Sequence, residues 1–257
     1  MTDLGLTGNR VVITGAAGGL GRAFAISFAK AGANVLIADI NKAGLQQTEQ
    51  LLTPFGTEVL LAEVDVTSAT SCRQLAAIAE DKFNGIDTLV NNAALYGGLE
   101  RQPFTDIDEE VWDQVMDINV KGLWLMTRAL RPLLQSNSDE QKAASVINIA
   151  SATVFSGSSQ WMHYVASKGA VIAMTRVMAT EMGPDNIRAN ALAPGFTLTD
   201  ASNNLIDNAE TYGVDRAPLG RNATPDDITG TALYLASELS GFMTGQTLVV
   251  DGGKEYN

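Results

Sequence analysis

Tyr164 and Lys168 stand four residues apart in "SSQWMHYVASKGA", residues 158–170. On a helix that spacing puts both side chains on one face. A phenol with a reference pKa of about 10 is a poor base at neutral pH, and a neighbouring ammonium draws it down. The pair can therefore move a proton to or from a carbinol oxygen, with Lys168 also free to bind a ribose hydroxyl. The same spacing describes an ordinary solvated helix face, so the chemistry needs partners. Ser151 ends the apolar run "SVINIAS" (145–151), and its hydroxyl can steady a substrate oxygen as charge develops there. A plain loop serine is the competing reading, since Ser156, Ser158 and Ser159 follow. Asn119, in "DINVKG", lies inside an apolar helical run. A buried amide there needs partners; it marks either a helix kink or an anchor for a water that relays protons to Lys168. His163, the single histidine, adjoins Tyr164 but points about a quarter-turn away on the helix, and it receives no acid–base role.

A second cluster lies near the N-terminus. "TGAAGGLG", Thr14 to Gly21, follows the apolar run "RVVIT" and opens an amphipathic pattern. Gly15 suits a sharp turn. Gly19 and Gly21 lack a Cβ where a diphosphate would approach the helix N-terminus and where helix must pack on strand. Asp39 ends the next apolar run, eighteen residues beyond Gly21, close to the spacing of the acid that binds an adenosine ribose. Its carboxylate would repel a 2′-phosphate, and the nearest following cation is Lys42, so NAD is expected over NADP. A helix N-cap role for Asp39 is compatible with this. "VDVT" places Asp65 and Val66 near the adenine edge, and "VNNAA" ends a strand at Asn91 to Ala94.

These clusters need elements that bring them together. Strand-like runs at 10–14, 34–39, 58–66, 86–92, 145–151, 187–194 and 246–252 alternate with helical patterns. The runs are nearly continuous in Val, Ile and Leu, as expected of strands covered on both faces. The pattern predicts a doubly wound α/β fold with one parallel sheet, spanning 1–257 as a single domain. Ligands then bind beyond the carboxyl ends of the strands, where strand order reverses. The stretch 197–224 lacks a clear strand, and 197–216 is expected to be a substrate-binding loop or lid.

The chain has 257 residues, 46% of them hydrophobic, and a formal net charge of −12. That charge opposes nucleic acid and anionic membrane as partners. No apolar run approaches the ~20 residues of a membrane span, and the N-terminus does not read as a signal peptide. The single cysteine, Cys72, excludes an internal disulfide, reads as structural, and fits a cytoplasmic setting. No His/Cys/Asp cluster suggests a metal.

Thr14–Gly21 as TGxxxGxG, "NNA" at 91–93, Asn119, Ser151 thirteen residues before Tyr164, Tyr164-x-x-x-Lys168, "APG" at 193–195 and "TGQTLVVDGG" together resemble the short-chain dehydrogenase/reductase family along essentially the whole chain. The resemblance implies a single Rossmann domain, NAD(P)-dependent oxidoreduction and a homo-oligomer, with a tetramer favoured. It implies a catalytic tetrad of Asn119, Ser151, Tyr164 and Lys168, in which serine orients substrate, tyrosine transfers the proton and lysine lowers its pKa. Gly15, Gly19, Leu20, Gly21, Asp39, Asp65, Val66, Asn92, Ala93, Tyr164, Lys168, Pro194, Gly195 and Thr197 would hold NAD. Ala94 departs from the family's usual glycine. The expected reaction interconverts a secondary alcohol and a ketone. Tyr96, Val154, Phe155 and Trp161 would form an apolar, aromatic substrate pocket with Met162 and His163 beside them, favouring a hydrophobic or aryl alcohol. A sugar or polyol dehydrogenase and a 3-oxoacyl reductase are the alternatives. An NAD-sensing interaction protein is the non-enzymatic one, though a pure binder needs neither Ser151 nor Tyr164.

Overall fold

The computed structural model describes residues 4–137 and 142–255. Seven strands form one sheet in the order β3-β2-β1-β4-β5-β6-β7, every pair parallel. They are β1 (Arg10–Thr14), β2 (Asn34–Asp39), β3 (Val59–Glu63), β4 (Thr88–Asn91), β5 (Ala144–Ile149), β6 (Ile187–Pro194) and β7 (Thr247–Val250). Each expected run matches a strand, although β5 begins one residue before its run, at Ala144, and ends at Ile149. The third, fourth and seventh strands are shorter than their apolar runs, because the trailing residues turn away at the carboxyl edge. Strand order reverses between β1 and β4, which places the crevice of a doubly wound sheet there.

Side chains alternate along each strand, and both sets are buried in the central strands, while the edge strands β3 and β7 are partly exposed. Val12, Leu36, Leu89, Val146 and Ala189 join one core with Cys72, Leu75 and Phe83 of α3 (Ala69–Phe83) and Met126 and Leu130 of the helix beginning at Leu123. Val11, Ile13, Val35, Ile37, Val90, Ile147 and Leu192 join the other core. There they meet Phe24 and Phe28 of the helix Gly19–Lys30 and Ile228, Ala232 and Leu235 of the helix Pro225–Ala236. Both cores are apolar, which explains why the strands carry no polar–apolar alternation. Cys72 is fully buried and burial raises its thiol pKa, in keeping with a structural role.

At the amino edge of the sheet, Asp87 is buried yet charged. Burial pushes its pKa up, but hydrogen bonds from Arg10 and Lys142 outweigh that and hold it below the ordinary carboxylate value. Its Oδ2 accepts from the Arg10 backbone N–H at 2.7 Å and from Arg10 Nε at 3.0 Å, and Lys142 binds Oδ1. This fastens the start of β1 to β4. A depressed carboxylate pKa contributes stability above the unfolded value of about 3.9, lost as pH falls through the folded pKa. Asp87→Asn is expected to destabilise the protein by about 2 kcal/mol at neutral pH. Denaturant melts should show that deficit shrinking only in strongly acidic solution.

Candidate active site

The helix α1 (Gly19–Lys30) begins where β1 ends, with no side chain capping it and no acid in its first turn. Its backbone N–H groups and partial positive charge face the crevice. The three glycines divide the work. Gly15 has φ +68°, and a Cβ there would lie 2.8 Å from both the Ala93 Cα and the Asn92 Nδ2. Gly19 has φ +51° and open space where a Cβ would stand. Gly21 has no such space: a Cβ would sit 2.0 Å from the Gly15 carbonyl oxygen and 2.6 Å from Asn92 Nδ2. Gly19 thus leaves room for a ligand, whereas Gly21 seats the helix on the strand. Asn92 completes the seat, donating to the carbonyls of Thr14 (3.0 Å) and Gly15 (3.1 Å).

Asp39 lines the crevice at the end of β2. Its carboxylate accepts from the backbone N–H of Ala17 at 3.0 Å and of Asn41 at 2.9 Å, so it also fixes the glycine turn and its own loop. The N-cap of the following helix α2 (Lys42–Leu52) is Asn41 rather than Asp39. Arg22 donates to Ala17 O, Thr48 Oγ1 and Gln47 Oε1.

Beyond α3, a helix α4 (Glu109–Met116) runs through a π-helical turn, Asp117–Gly122, into α5 (Leu123–Asn137). Asn119 is buried in that π turn. Its Oδ1 accepts from Leu95 N at 2.7 Å, and its Nδ2 donates to Leu95 O (3.3 Å) and Ser167 Oγ (3.1 Å). Kink and anchor are therefore one feature, and the amide pins the loop after β4 to the catalytic helix. Ser151 follows β5 and is buried. Its Oγ accepts from Thr153 Oγ1 (2.9 Å) and Thr153 N (3.3 Å), which turns its own proton toward the Tyr164 phenol.

Tyr164 and Lys168 lie on α7 (Met162–Met182), both buried, with Lys168 Nζ 5.8 Å from the Tyr164 ring centroid. Lys168 Nζ donates to the carbonyl of Ile149 at 2.7 Å. Burial draws its pKa down to about 8. The Tyr164 phenol departs from expectation: burial, reinforced by Tyr96, pushes its pKa well above the ordinary value, and the Ser151 hydroxyl opposes this without reversing it. In the unliganded protein desolvation thus outweighs any help from Lys168. His163 is fully buried, and burial lowers its pKa. Its Nδ1 accepts from the Tyr164 backbone N–H at 2.9 Å, a positioning contact.

One crevice of about 910 Å³ runs from Gly15, Gly19 and Asp39 past Ser151, Tyr164 and Lys168 to Arg101, Tyr212 and Lys254. Leu20, Asn92, Pro194, Gly195 and Thr197 line it as expected, as do Tyr96 and Trp161. Other expected residues do not. Gly21 and Ala93 pack behind the wall. Asp65 Oδ1 accepts from Thr67 N and Oγ1, and Val66 is packed where a Cβ on Gly122 would strike it. Val154 and Phe155 also fall outside, because Thr153–Ser156 form a helical turn, α6, rather than an extended wall. Val154 packs into a buried cluster and Phe155 faces solvent, leaving Thr153, Ser156 and Gly157 toward the crevice. Met162 is exposed, and of the expected aromatic wall Tyr96 and Trp161 remain, 5.4 Å between centroids, with Trp161 5.0 Å from Tyr164; Phe196 and Tyr212 add a second aromatic pair. Arg101, Thr153 and Tyr212 fall within stretches expected to rim the pocket but were not singled out there, and Lys254 lies outside all of them, since loop positions carry no periodic signal. Among the described residues, no His/Cys/Asp/Glu group could hold a metal and no helix is long and apolar enough to cross a membrane.

Comparison with known proteins follows this geometry. A family model described as "Enoyl-(Acyl carrier protein) reductase" matches residues 15–255. The chain is 38% identical over 256 residues to the 3-oxoacyl-[acyl-carrier-protein] reductase of Chlamydia pneumoniae, covering 99% of this chain and 100% of that one. It superposes on the crystal structure of 3-ketoacyl-(acyl-carrier-protein) reductase from Brucella melitensis complexed with NADH. That match has a TM-score of 0.89, 33% identity, and covers 98% of this chain and 100% of the other. Carveol dehydrogenase from Mycobacterium avium in complex with NAD superposes with a TM-score of 0.89 at 26% identity, covering 96% of this chain and 98% of that one.

The glycines make a paired test. Gly21→Ala should lower stability by at least about 3 kcal/mol, since backbone must move. Gly19→Ala should cost only about 1 kcal/mol, from its left-handed backbone, yet weaken dinucleotide binding at least about tenfold. Thermal melts and NADH titrations of the two variants separate these effects.

Proposed function

The chain belongs to the short-chain dehydrogenase/reductase family, oxidoreductases acting on CH–OH groups, and from that premise we propose that it interconverts a secondary alcohol and a ketone with NAD as cofactor. The observation that carries this reading is the buried Ser151–Tyr164–Lys168 group opening onto the same crevice as the uncapped start of α1. The residues present fit a dinucleotide. Gly18 and Gly19 leave open space at the helix N-terminus, suited to a diphosphate. Lys168 has one acceptor, Ile149 O, for its three donors, so two can meet ribose hydroxyls. Asp39 would accept from the adenosine ribose, and Arg22, the cation nearest the glycine turn, is engaged by Ala17, Thr48 and Gln47 rather than free for a 2′-phosphate. The NADH and NAD complexes of the two structural neighbours support this choice.

When bound, NAD supplies the hydride acceptor or donor. Ser151, whose hydroxyl meets the Tyr164 phenol, turns its proton to the substrate oxygen and holds it beside Tyr164. Tyr164, kept protonated by burial, gives its proton to that oxygen as the ketone is reduced. Alcohol oxidation needs the phenolate and is favoured as pH rises. Thr153 fixes Ser151, His163 fixes the Tyr164 backbone, and Asn119 ties the catalytic helix to the loop that carries Tyr96. The segment 197–216, which holds a short helix α8 (Asp200–Leu205) and brings Thr199, Tyr212 and Arg216 to the crevice, covers the substrate. Reduction of a 3-oxoacyl thioester is the second reading, favoured by the 38% identity to a 3-oxoacyl-[acyl-carrier-protein] reductase. The polar wall at Thr153, Ser156 and Ser159 moves the substrate away from a purely hydrophobic or aryl alcohol.

Tyr164→Phe tests the proton-transfer role. Turnover should fall at least about a thousandfold while NADH affinity stays within about twofold. Residual kcat near that of the parent protein removes Tyr164 from the role.

A further inference from the structure

The far end of the crevice carries cations in a chain whose net charge is −12. Arg101 stands against the aromatic wall, its guanidinium carbon 4.6 Å from the Trp161 ring centroid and 5.6 Å from that of Tyr212. Contact with ring faces fixes a guanidinium but uses none of its N–H groups. Among the described residues Arg101 makes no hydrogen bond and no ion pair, so its five donors stay available beside Tyr164's neighbour Trp161. Two further cations lie along the same wall. Arg216 Nη2 and Lys254 Nζ come within 3.0 and 3.3 Å of where a Cβ on Gly213 would stand, next to Tyr212. Neither has a carboxylate within ion-pair distance among the described residues. Lys254 Nζ has a long contact, 3.4 Å, to Asn222 Oδ1. Burial and the neighbouring Arg216 draw the Lys254 pKa down, and Asp251, Asp215 and Glu255 oppose this without reversing it.

Acids line this end too: Asp251, Asp215 and Glu255 act on Lys254 through space, though none forms an ion pair with it among the described residues. Asp251 accepts from the backbone N–H groups of Gly253, Lys254 and Glu255 and so closes the C-terminal turn. Elsewhere Arg131 pairs with Asp185 and Arg221 with Asp227, whereas Arg128, 4.4 Å from the Trp124 ring centroid, is stacked without a carboxylate among the described residues and lies away from the crevice. Arg101 and Arg216 are solvent-exposed at the mouth of the crevice, so their donors are hydrated and can be handed to an anion without breaking any protein hydrogen bond among the described residues.

We propose that the substrate of this site is an anion, a short ketone or secondary alcohol bearing a carboxylate or phosphate that Arg101 receives, with Arg216 and Lys254 supplying the surrounding positive field. This rests on the reading of Ser151 and Tyr164 as the place where the carbinol sits. Trp161 packs against both Arg101 and Tyr164, so the oxyanion lies a few bonds from the reacting carbon. The cluster offsets locally the repulsion that the net charge imposes on any anion. It also assigns Tyr212 a purpose: from the segment over the crevice it completes the clamp on Arg101.

The test is calorimetric titration of matched probes into the free protein and into protein saturated with NAD⁺, a mixture with a ketone that cannot turn over. The pairs are 4-oxopentanoate against its methyl ester, and dihydroxyacetone phosphate against dihydroxyacetone. The anionic member of at least one pair should bind at least about tenfold more tightly than its neutral partner. Whichever pair discriminates identifies carboxylate or phosphate as the group received. Arg101→Gln should bring that ratio near one and leave NAD⁺ and the neutral probes unchanged, and Arg101→Lys should restore part of it. Equal affinities within both pairs, or no saturable binding of either anion, overturn the proposal. So does an Arg101→Gln variant that loses neutral and anionic probes alike, the mark of a structural strap. The free-protein arm reads Arg101 even where NAD⁺ fails to bind, so this inference and the cofactor reading fail separately.

Discussion

A methyl group on Gly21 would stand 2.0 Å from the carbonyl oxygen of Gly15. Only a bare Cα lets the first helix sit that close to the turn leaving the first strand. The same contact involves Asn92, at the end of the fourth strand, whose amide donates to the carbonyls of Thr14 and Gly15. Three chain segments thus meet at the place where strand order reverses. Asp39 is then drawn in from the second strand through the Ala17 N–H. Once this junction is set, an uncapped helix N-terminus and a carboxylate face one crevice. Ser151 arrives there from the end of the fifth strand, and Tyr164 and Lys168 from α7.

The reactive group depends on burial in a second way. Tyr164 and Lys168 are enclosed by Trp161, Tyr96 and the sheet, and desolvation disfavours charge on both. The phenol is held protonated and the ammonium's pKa falls to about 8. Buried polar partners keep this arrangement in one geometry. Thr153 fills the acceptor side of Ser151, Ile149 receives Lys168, and Asn119 bridges Leu95 and Ser167. The π-helical turn around Asn119 is a costly local structure of the kind that gathers at functional sites.

Much of this was legible in residue types and spacing. Continuous Val/Ile/Leu runs marked all seven strands because both sheet faces are covered. The Tyr164–Lys168 spacing, Ser151 at a strand end and the glycine turn marked the site because each is bound to a regular element. Where an element was not regular, reading failed. Residues 153–156 form a helical turn, so Val154 and Phe155 point away and Thr153, unnoticed, becomes the support of Ser151. The two asparagines after the fourth strand looked like ligand contacts. Asn91 instead donates to Thr127 and Asn148 in a buried ladder, and Asn92 chiefly holds the glycine turn. Arg101, Tyr212 and Lys254 come from three separate loops, and only the folded chain shows them on one wall. The direction of the Tyr164 shift also required the structure, since spacing reports a nearby ammonium but not how completely both groups leave water.

The central claim is that this junction builds an NAD site around Tyr164 and Lys168. Calorimetric titration of the unmodified protein with NADH and, separately, NADPH tests it most directly. The account requires NADH to bind with one site per chain and at least about tenfold more tightly than NADPH, because the Asp39 carboxylate on the crevice wall would repel a 2′-phosphate and Arg22 is tied elsewhere. Equal or tighter binding of NADPH would contradict the role given to Asp39, and no binding of either would contradict the site itself.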